Sequence, residues 1–318
     1  MRKSPIILFV YNRPWHTEQT LRALMANDLA SESELYIYAD GPKPNATEEQ
    51  LQKIHEVRQL IRQEQWCGKV HIIESEKNKG LADSIIGGVT EIVNKHGKII
   101  VLEDDIVPTT GFLRYMNDAL AIYEKDEQVM QVSGYIYPYA NVPKIPTTYF
   151  LRIMACWGWG TWKRAWQYYE HDIDIHLSHF NTPKLQKKFD VEGHMKNYCQ
   201  LLYNKNGMYY TWAVRWYASW LYAGGFSLFP SQSLVYNAGF DDSGEHCGAS
   251  QCEYNQELLE TINLDKFIVK ENKSIRFAID RSFKRMYGPK NFHQYVGRIA
   301  MKLGIYDFLR KIWDLVKK

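Results

Sequence analysis

Lys98-Ile-Ile-Val-Leu102-Glu103-Asp104-Asp105 is the stretch on which the reading of this chain turns. Its first five residues are the most apolar strand signal in the sequence. Ile99 to Leu102 are apolar at consecutive rather than alternate positions, as a strand covered on both faces of a parallel sheet requires. The strand ends abruptly in three carboxylates, whose mutual repulsion beside a buried strand is relieved only by a cation or by exposure. One reading is a platform for a metal-diphosphate, because a hard divalent ion at a phosphate site commonly takes one or two carboxylates and fills its shell with phosphate oxygens. The other is an acidic helix start ahead of Pro108 and Thr109, complementing the macrodipole.

Outward from this strand, strand and helix signals alternate. Pro5-Ile-Ile-Leu-Phe-Val10 is a short apolar run, followed by a helical pattern over 17–29 in which Leu21, Leu24 and Met25 recur at helical spacing. A second strand over 35–39 is stopped by Asp40-Gly41-Pro42. A helix then runs from Thr47, with Glu49 and Gln50 near its start, to about residue 65. The spacing predicts a third strand over 69–74 and a third helix over 82–94, carrying Ile85, Ile86, Val89, Ile92 and Val93. A helix over 110–125 and a fifth strand over 129–133 follow the acidic triplet. This alternation predicts an open, mostly parallel α/β sheet flanked by helices, with its ligand beyond the carboxyl ends of the strands.

After about Tyr135 the periodicity gives way to Pro-, Tyr- and Trp-rich segments, read as a second half wrapped against the first and carrying the acceptor site. The expected organisation is a nucleotide-binding half over 1–140, an acceptor half of the same domain over 141–290 and a tail over 291–318. In the tail, Ile299, Leu303, Leu309, Ile312, Trp313 and Val316 share a helical stripe, with Arg298, Lys302, Arg310, Lys311, Lys317 and Lys318 elsewhere. A basic amphipathic helix over 296–318 either lies on an anionic membrane surface or docks on the domain.

The composition fits a folded globular chain: 45% hydrophobic and 24% charged residues, with a mean hydropathy of −0.42. A net charge of +3 over 318 residues is too balanced for a protein whose work is neutralising phosphate backbones, which sets nucleic acid aside as a partner. The five cysteines are scattered without a Cys-x-x-Cys pair, so they read as reduced thiols. With no signal-peptide pattern and no window of 18 uninterrupted apolar residues, the expected location is cytoplasmic, with the tail as the element that could reach the inner face of the membrane. Walker A, Gly-x-Gly-x-x-Gly, His-Glu-x-x-His and Gly-x-Ser-x-Gly are all absent.

In this order and spacing, the residues resemble a family. Tyr11-Asn12-Arg13-Pro14 follows the first strand, Ala39-Asp40-Gly41 ends the second, Asn78-Lys79-Gly80-Leu81 precedes the third helix, and Glu103-Asp104-Asp105 takes the place of an Asp-x-Asp motif. Downstream come Trp157-Gly158-Trp159-Gly160-Thr161-Trp162, Trp212-Ala-Val-Arg215-Trp216 and the Asn237–His246 stretch. Over roughly residues 4–250 the chain resembles GT-A-fold glycosyltransferases, in particular bacterial relatives of the N-acetylglucosaminyltransferase that begins complex N-glycan branching. The resemblance implies that Tyr11 and Arg13 lie at the donor, with Arg13 on the nucleotide phosphates, and that Asp40 bonds the base, a uracil in most such enzymes. It further implies that Asp105 is the direct ligand of a divalent metal (Mn or Mg) and that Glu103 and Asp104 face the donor sugar and ribose.

Each of these residues also has a plainer reading. Asp40 heads a turn-forming Asp-Gly-Pro, Arg13 is a surface charge beside Pro14, and Asn78-Lys79-Gly80 is either a phosphate-binding helix start or a solvated loop. Trp157 and Trp159 are candidates to stack on a sugar, with Gly158 and Gly160 letting backbone approach a ligand, while Trp162 and Trp166 read as core. An inverting transfer needs a base, and the family's acid falls at Thr211, which cannot serve. Asp241, Asp242 and Glu245 are the nearest substitutes, and His246 is either a loop anchor or part of the acceptor site. The function expected is a metal-dependent, inverting glycosyltransferase moving a hexosyl or N-acetylhexosaminyl group from a UDP donor to a glycan or lipid-linked saccharide in surface polysaccharide synthesis. The alternatives are a noncatalytic glycan-binding protein, suggested by Thr211, and a sugar nucleotidyltransferase, which should carry a Gly-rich loop after the first strand.

Overall fold

Ile6–Val10 is buried at every position, as are Ile99 to Leu102, each at most 1% exposed. Each such large apolar side chain contributes about 1.5–3 kcal/mol by leaving water, which fixes these two strands at the centre of the molecule. They lie side by side in the computed structural model, which describes residues 3–140, 142, 144–208, 210–241, 256–287 and 300. The candidates Asp242, Glu245 and His246, and the tail apart from Ala300, lie outside the described residues.

The first half is a run of right-alternating βα units: β1 (Ile6–Val10), α1 (Pro14–Met25), β2 (Glu34–Ala39), α2 (Glu48–Leu60), β3 (Lys69–Glu74), α3 (Leu81–His96) and β4 (Lys98–Glu103). Next come β5 (Ile106–Pro108), α4 (Phe112–Ile122), β6 (Val129–Ser133), β7 (Thr148–Leu151), β8 (Trp159–Trp162) and α5 (Lys163–Trp166). The remaining elements are α6 (Ile173–His179), α7 (Pro183–Phe189), α8 (Asn197–Lys205), α9 (Ala213–Tyr222), β9 (Phe226–Pro230), β10 (Val235–Asn237) and α10 (Lys273–Tyr287). One eight-stranded sheet runs in the order β3-β2-β1-β4-β8-β6-β9-β7. The pairings among β3, β2, β1 and β4 are parallel, as is β6 with β9, while β8 and β7 run against their neighbours. Strands from beyond Tyr135 therefore extend the same sheet rather than forming a separate layer.

Several helix limits differ from those read in the sequence, for local reasons. The first helix starts at Pro14, not 17, because Pro supplies the right φ where no amide donor is needed, and it ends at Met25. The second is opened by the capping box visible in the sequence: the Gln50 amide N–H donates to Thr47 Oγ1 at 3.2 Å and Thr47 N–H donates to Gln50 Oε1 at 3.0 Å. It stops at Leu60, short of 65, where Trp66 Nε1 donates to the Ile61 carbonyl at 3.1 Å. The third runs from Leu81 to His96 and is closed by Gly97, whose φ of 83° only glycine adopts without strain and whose N–H reaches the Val93 carbonyl at 2.8 Å.

The Trp-Gly-Trp-Gly segment corrects an expectation. Trp159 is wholly buried on β8, stacked on Trp212 at 5.2 Å and tilted against Trp216, so it packs the core and does not reach a ligand. The two glycines serve packing as well. A Cβ on Gly160 would sit 2.9 Å from the Ile99 carbonyl and from Met116, and Gly158 turns with φ 58° against Phe112 and Val235. Trp162 and Trp166 are core, as expected.

Candidate active site

Because β1 and β4 pair in parallel, with Phe9 opposite Glu103, their carboxyl ends emerge together. Arg13, at the start of α1, thereby meets the acidic triplet. Its Nη2 donates to Asp104 Oδ1 and, at 2.9 Å, to Asp105 Oδ2, and its Nε donates to Asp104 Oδ2 at 3.3 Å. The arrangement is fixed from behind: Thr17 Oγ1 donates to the Arg13 carbonyl and Thr20 Oγ1 to the Asp104 carbonyl, each at 2.8 Å. Asp104 and Asp105 are buried. Arg13 is thus the cation that the carboxylate repulsion demanded.

Charge in this cluster is set by burial. Burial alone would lower the Arg13 pKa, but Asp104 and Asp105 together hold it above its ordinary value. Burial, with the charges of Asp105 and Asp104 added, raises the Glu103 pKa, and the Arg13 guanidinium opposes the shift. Burial raises Asp104 as well, and the Arg13 guanidinium opposes it. Among the described residues Arg13 Nη1 is buried without a hydrogen-bond partner, a donor that an incoming anion would satisfy.

A second segment closes over this cluster through two strands that the sequence reading missed. The three-residue β5 pairs antiparallel with β10, Asn237 opposite Ile106, and Ala238 N–H continues the ladder to the Asp105 carbonyl at 2.8 Å. Gly239 N–H then donates to Asn237 Oδ1 at 2.7 Å. A Cβ at Gly239 would lie 2.4 Å from Asp105 Oδ2 and 3.2 Å from Arg13 Nη1, so glycine is what lets this strap lie on the acidic pair. The strap brings Asp241 to the rim, where its Oδ2 is 3.1 Å from Nε2 of His16, a buried residue one turn after Arg13. His16, Asn237 and Gly239 were not singled out from the sequence. The Asn237–His246 stretch carried a signal as a whole, and within it Asp241 was a candidate base.

Asp40 turns out to be a clasp. Its carboxylate accepts from Gly41 N–H (2.8 Å), Asn78 Nδ2 (3.0 Å), Lys79 N–H (2.9 Å) and Gly80 N–H (3.0 Å). A carboxylate offers about four lone-pair sites, and these four donors use them. Asp40 thus latches the end of β2 to the loop before α3 and is committed to the chain's own donors rather than open to a base. Lys79 is exposed on that loop, and Tyr11 is half-buried between β1 and Arg13.

On the other side of the sheet edge, Trp157 is half-buried, tilted on Tyr135 at 4.3 Å and edge-on to Phe240 of the strap at 5.5 Å. Thr211 sits just before α9, its N–H donating to Asn204 Oδ1 at 2.9 Å, and Arg215 Nη1 donates to that same oxygen at 2.7 Å. Tyr210 lies over the Arg215 guanidinium at 4.4 Å. Its hydroxyl, pushed up to about 12 by burial and by its hydrogen bond to Asp83, ties this segment to the first turn of α3. Among the described residues no group of three or more His, Cys, Asp or Glu side chains is placed to hold a metal on its own.

An eight-stranded α/β sheet with an acidic cluster at the carboxyl ends of its parallel strands defines a nucleotide-handling class of fold. The chain belongs to glycosyl transferase family 2, whose family model matches residues 6–206. It is accordingly a glycosyltransferase of the nucleotide-sugar-using kind, with a GT-A fold. The match takes in Arg13, Asp40 and the acidic triplet and stops before the strap. No curated protein matches the chain. Among solved structures, a UDP-glucose pyrophosphorylase complexed with UDP-glucose shares 10% identity at a TM-score of 0.37, with 74% of this chain and 94% of that one covered. Mouse xyloside xylosyltransferase 1 in its apo form shares 11% at a TM-score of 0.33, with 70% and 82% covered. No helix among the described residues is long and apolar enough to cross a membrane.

Proposed function

We propose that the cleft between Arg13, the acidic triplet and the strap binds a nucleoside diphosphate sugar, UDP-linked as the motif order suggests, and transfers its hexosyl or N-acetylhexosaminyl group with inversion to a saccharide hydroxyl. The acceptor class is a glycan or lipid-linked saccharide of surface polysaccharide synthesis. The observation that carries this reading is the half-buried Arg13 guanidinium, held by Asp104 and Asp105 with one donor atom unspent among the described residues. A guanidinium so placed is a phosphate clamp.

The donor set also suits manganese or magnesium. Two adjacent buried carboxylates are what a hard divalent ion needs from the protein at a diphosphate site, where phosphate and water oxygens complete its shell. Asp105 would hold it, aided by Asp104. When bound, the ion offsets charge developing on the departing diphosphate. Glu103 faces the donor sugar as a hydrogen-bond partner for one of its hydroxyls. Asp40 acts through its clasp, presenting the Lys79 loop to the nucleotide, and Tyr11 lines the nucleoside. Trp157, half-buried where Trp159 is wholly buried, is the motif ring proposed to meet the sugar.

Asp241 is the base. Held by His16, its carboxylate accepts the proton of the acceptor hydroxyl as that oxygen bonds to the anomeric carbon. The bond from that carbon to the phosphate oxygen breaks, and the electron pair leaves with the diphosphate, which Arg13 receives. Asp242 and Glu245 belong to the same segment and remain further candidates. The carboxylate at the rim removes the reason Thr211 gave for a noncatalytic reading. Incubation with UDP-, GDP- and CMP-sugars and manganese, followed by phosphorus NMR, tests the proposal. One donor is consumed by the wild type and not by Asp105→Asn; consumption of none, with candidate acceptors present, would refute it.

A further inference from the structure

The chain's net charge of +3 conceals a strong segregation. Helices α7 and α10 together carry eight basic side chains and a single acid, Asp280. They are neighbours: Glu192, just past α7, lies 3.2 Å from Lys187 and 3.9 Å from Arg276, and His194 lies 3.0 Å from Asp280. The lone acid of the two helices is half-buried against His194. On α10 the face that packs is Ile275, Ala278, Ile279 and Phe283, all buried. The opposite face presents Lys273, Phe277, Arg281, Lys284 and Arg285 to solvent, and Phe277 is 61% exposed in the middle of it. Arg281 lies over the Phe277 ring at 5.2 Å. Lys184, Lys187 and Lys188 are exposed on α7.

We infer that this surface is where the protein rests on a bilayer containing anionic phospholipid. The charges complement a negative headgroup layer, which attracts nearby Lys and Arg side chains. The exposed phenyl ring amid them is what an interfacial helix uses to enter the boundary between headgroups and acyl chains, and a surface for phosphate backbones has no use for it. The placement suits a glycosyltransferase with a lipid-linked acceptor, though the inference does not depend on the chemistry of the cleft. Phe283 on the inner face of α10 meets Tyr137 at 5.1 Å, and Tyr137 meets Tyr135 at 5.5 Å; Tyr135 and Trp157 then lead to Phe240 of the strap. The basic surface and the cleft therefore share one packed aromatic layer. The chain that follows α10 continues with the basic, apolar-striped sequence of residues 296–318.

Co-sedimentation of the full-length protein with phosphatidylglycerol-containing and with pure phosphatidylcholine vesicles tests this. The wild type should pellet with the former only, and less at high salt. Lys184→Glu/Lys188→Glu on α7 and, separately, Arg281→Glu/Lys284→Glu on α10 should each lower the partition by about tenfold or more, with unchanged unfolding midpoints. Phe277→Ser should weaken the binding that persists in salt. The α7 variant isolates the surface from the tail, being remote from it in sequence. Wild-type pelleting by both charge-reversed variants would assign the binding to the tail alone and overturn the inference. So would failure of the wild type to bind anionic vesicles, or binding of RNA in their place.

Discussion

Arg13 holds Asp105 through a 2.9 Å contact from Nη2 to Oδ2, across the 92 residues that separate them in the chain. That contact joins the loop after the first strand to the end of the fourth, and it makes the side chain proposed to clamp the donor phosphates the counter-ion of the acidic cluster as well. Removing it strands buried carboxylates. Arg13→Gln should therefore cost about 2–4 kcal/mol of stability. Manganese should raise the variant's unfolding midpoint more than the wild type's, because the ion then neutralises what the guanidinium no longer does. Calorimetric unfolding with and without manganese checks both.

Gly239→Ala places a methyl group where Asp105 Oδ2 already lies, 2.4 Å away. The strap must move off the acidic pair, at a cost of about 1–3 kcal/mol of overpacking. Donor consumption should be lost while the circular dichroism spectrum stays native.

The His16 contact to Asp241 predicts a pattern of rescue. Asp241→Asn should lower kcat by about 10²–10⁴-fold, the usual weight of a general base, and leave nucleotide affinity intact. His16→Ala should lower kcat in the same direction, and His16→Gln, which returns an N–H donor near the position of Nε2, should restore part of it. Equal losses in both His16 variants would make the residue structural.

These positions show what could be read from sequence. The four parallel strands announced themselves through runs such as Ile99 to Leu102, and Thr47 with Gln50 announced its helix, because burial and capping leave local signatures. Strands β5 and β10 have three residues each, too few to carry a period, so the strap that brings Asp241 to the cleft was invisible. Trp159 and Trp157 flank the same glycine and look alike in sequence. Pairing of β8 against β4 buries one and leaves the other half-exposed, and that pairing is a long-range fact. Asp40 read as a turn residue or as a ligand contact; three of its four internal donors come from a loop nearly forty residues away, which no local pattern reports.

Asp40→Asn tests the clasp. An amide in place of the carboxylate sets an N–H₂ against the N–H donors of Gly41, Lys79 and Gly80, and a buried-type hydrogen-bond network so broken costs about 1–3 kcal/mol. Faster hydrogen exchange over residues 78–84 than in the rest of α3 is the expected readout.

His176 should leave a pH signature on stability. Its Nε2 donates to the Glu170 carbonyl at 3.0 Å, and burial holds its pKa below 6.5. Above 6.5 both folded and unfolded chains keep it neutral. As pH falls below that value the unfolded chain takes up a proton that the folded chain refuses, so stability drops. The loss in unfolding midpoint between about pH 7.5 and about pH 5.5 should be smaller for His176→Gln than for the wild type.

The most direct test of the central claim, that Arg13 and Asp105 form a metal-diphosphate site, is calorimetric titration of UDP into the protein with manganese and then with chelator, repeated on Asp105→Asn. Manganese-dependent binding that disappears with chelator and in the variant is the predicted result. UDP affinity that is the same in all three titrations, or no binding of UDP, GDP or CMP with manganese present, would contradict it.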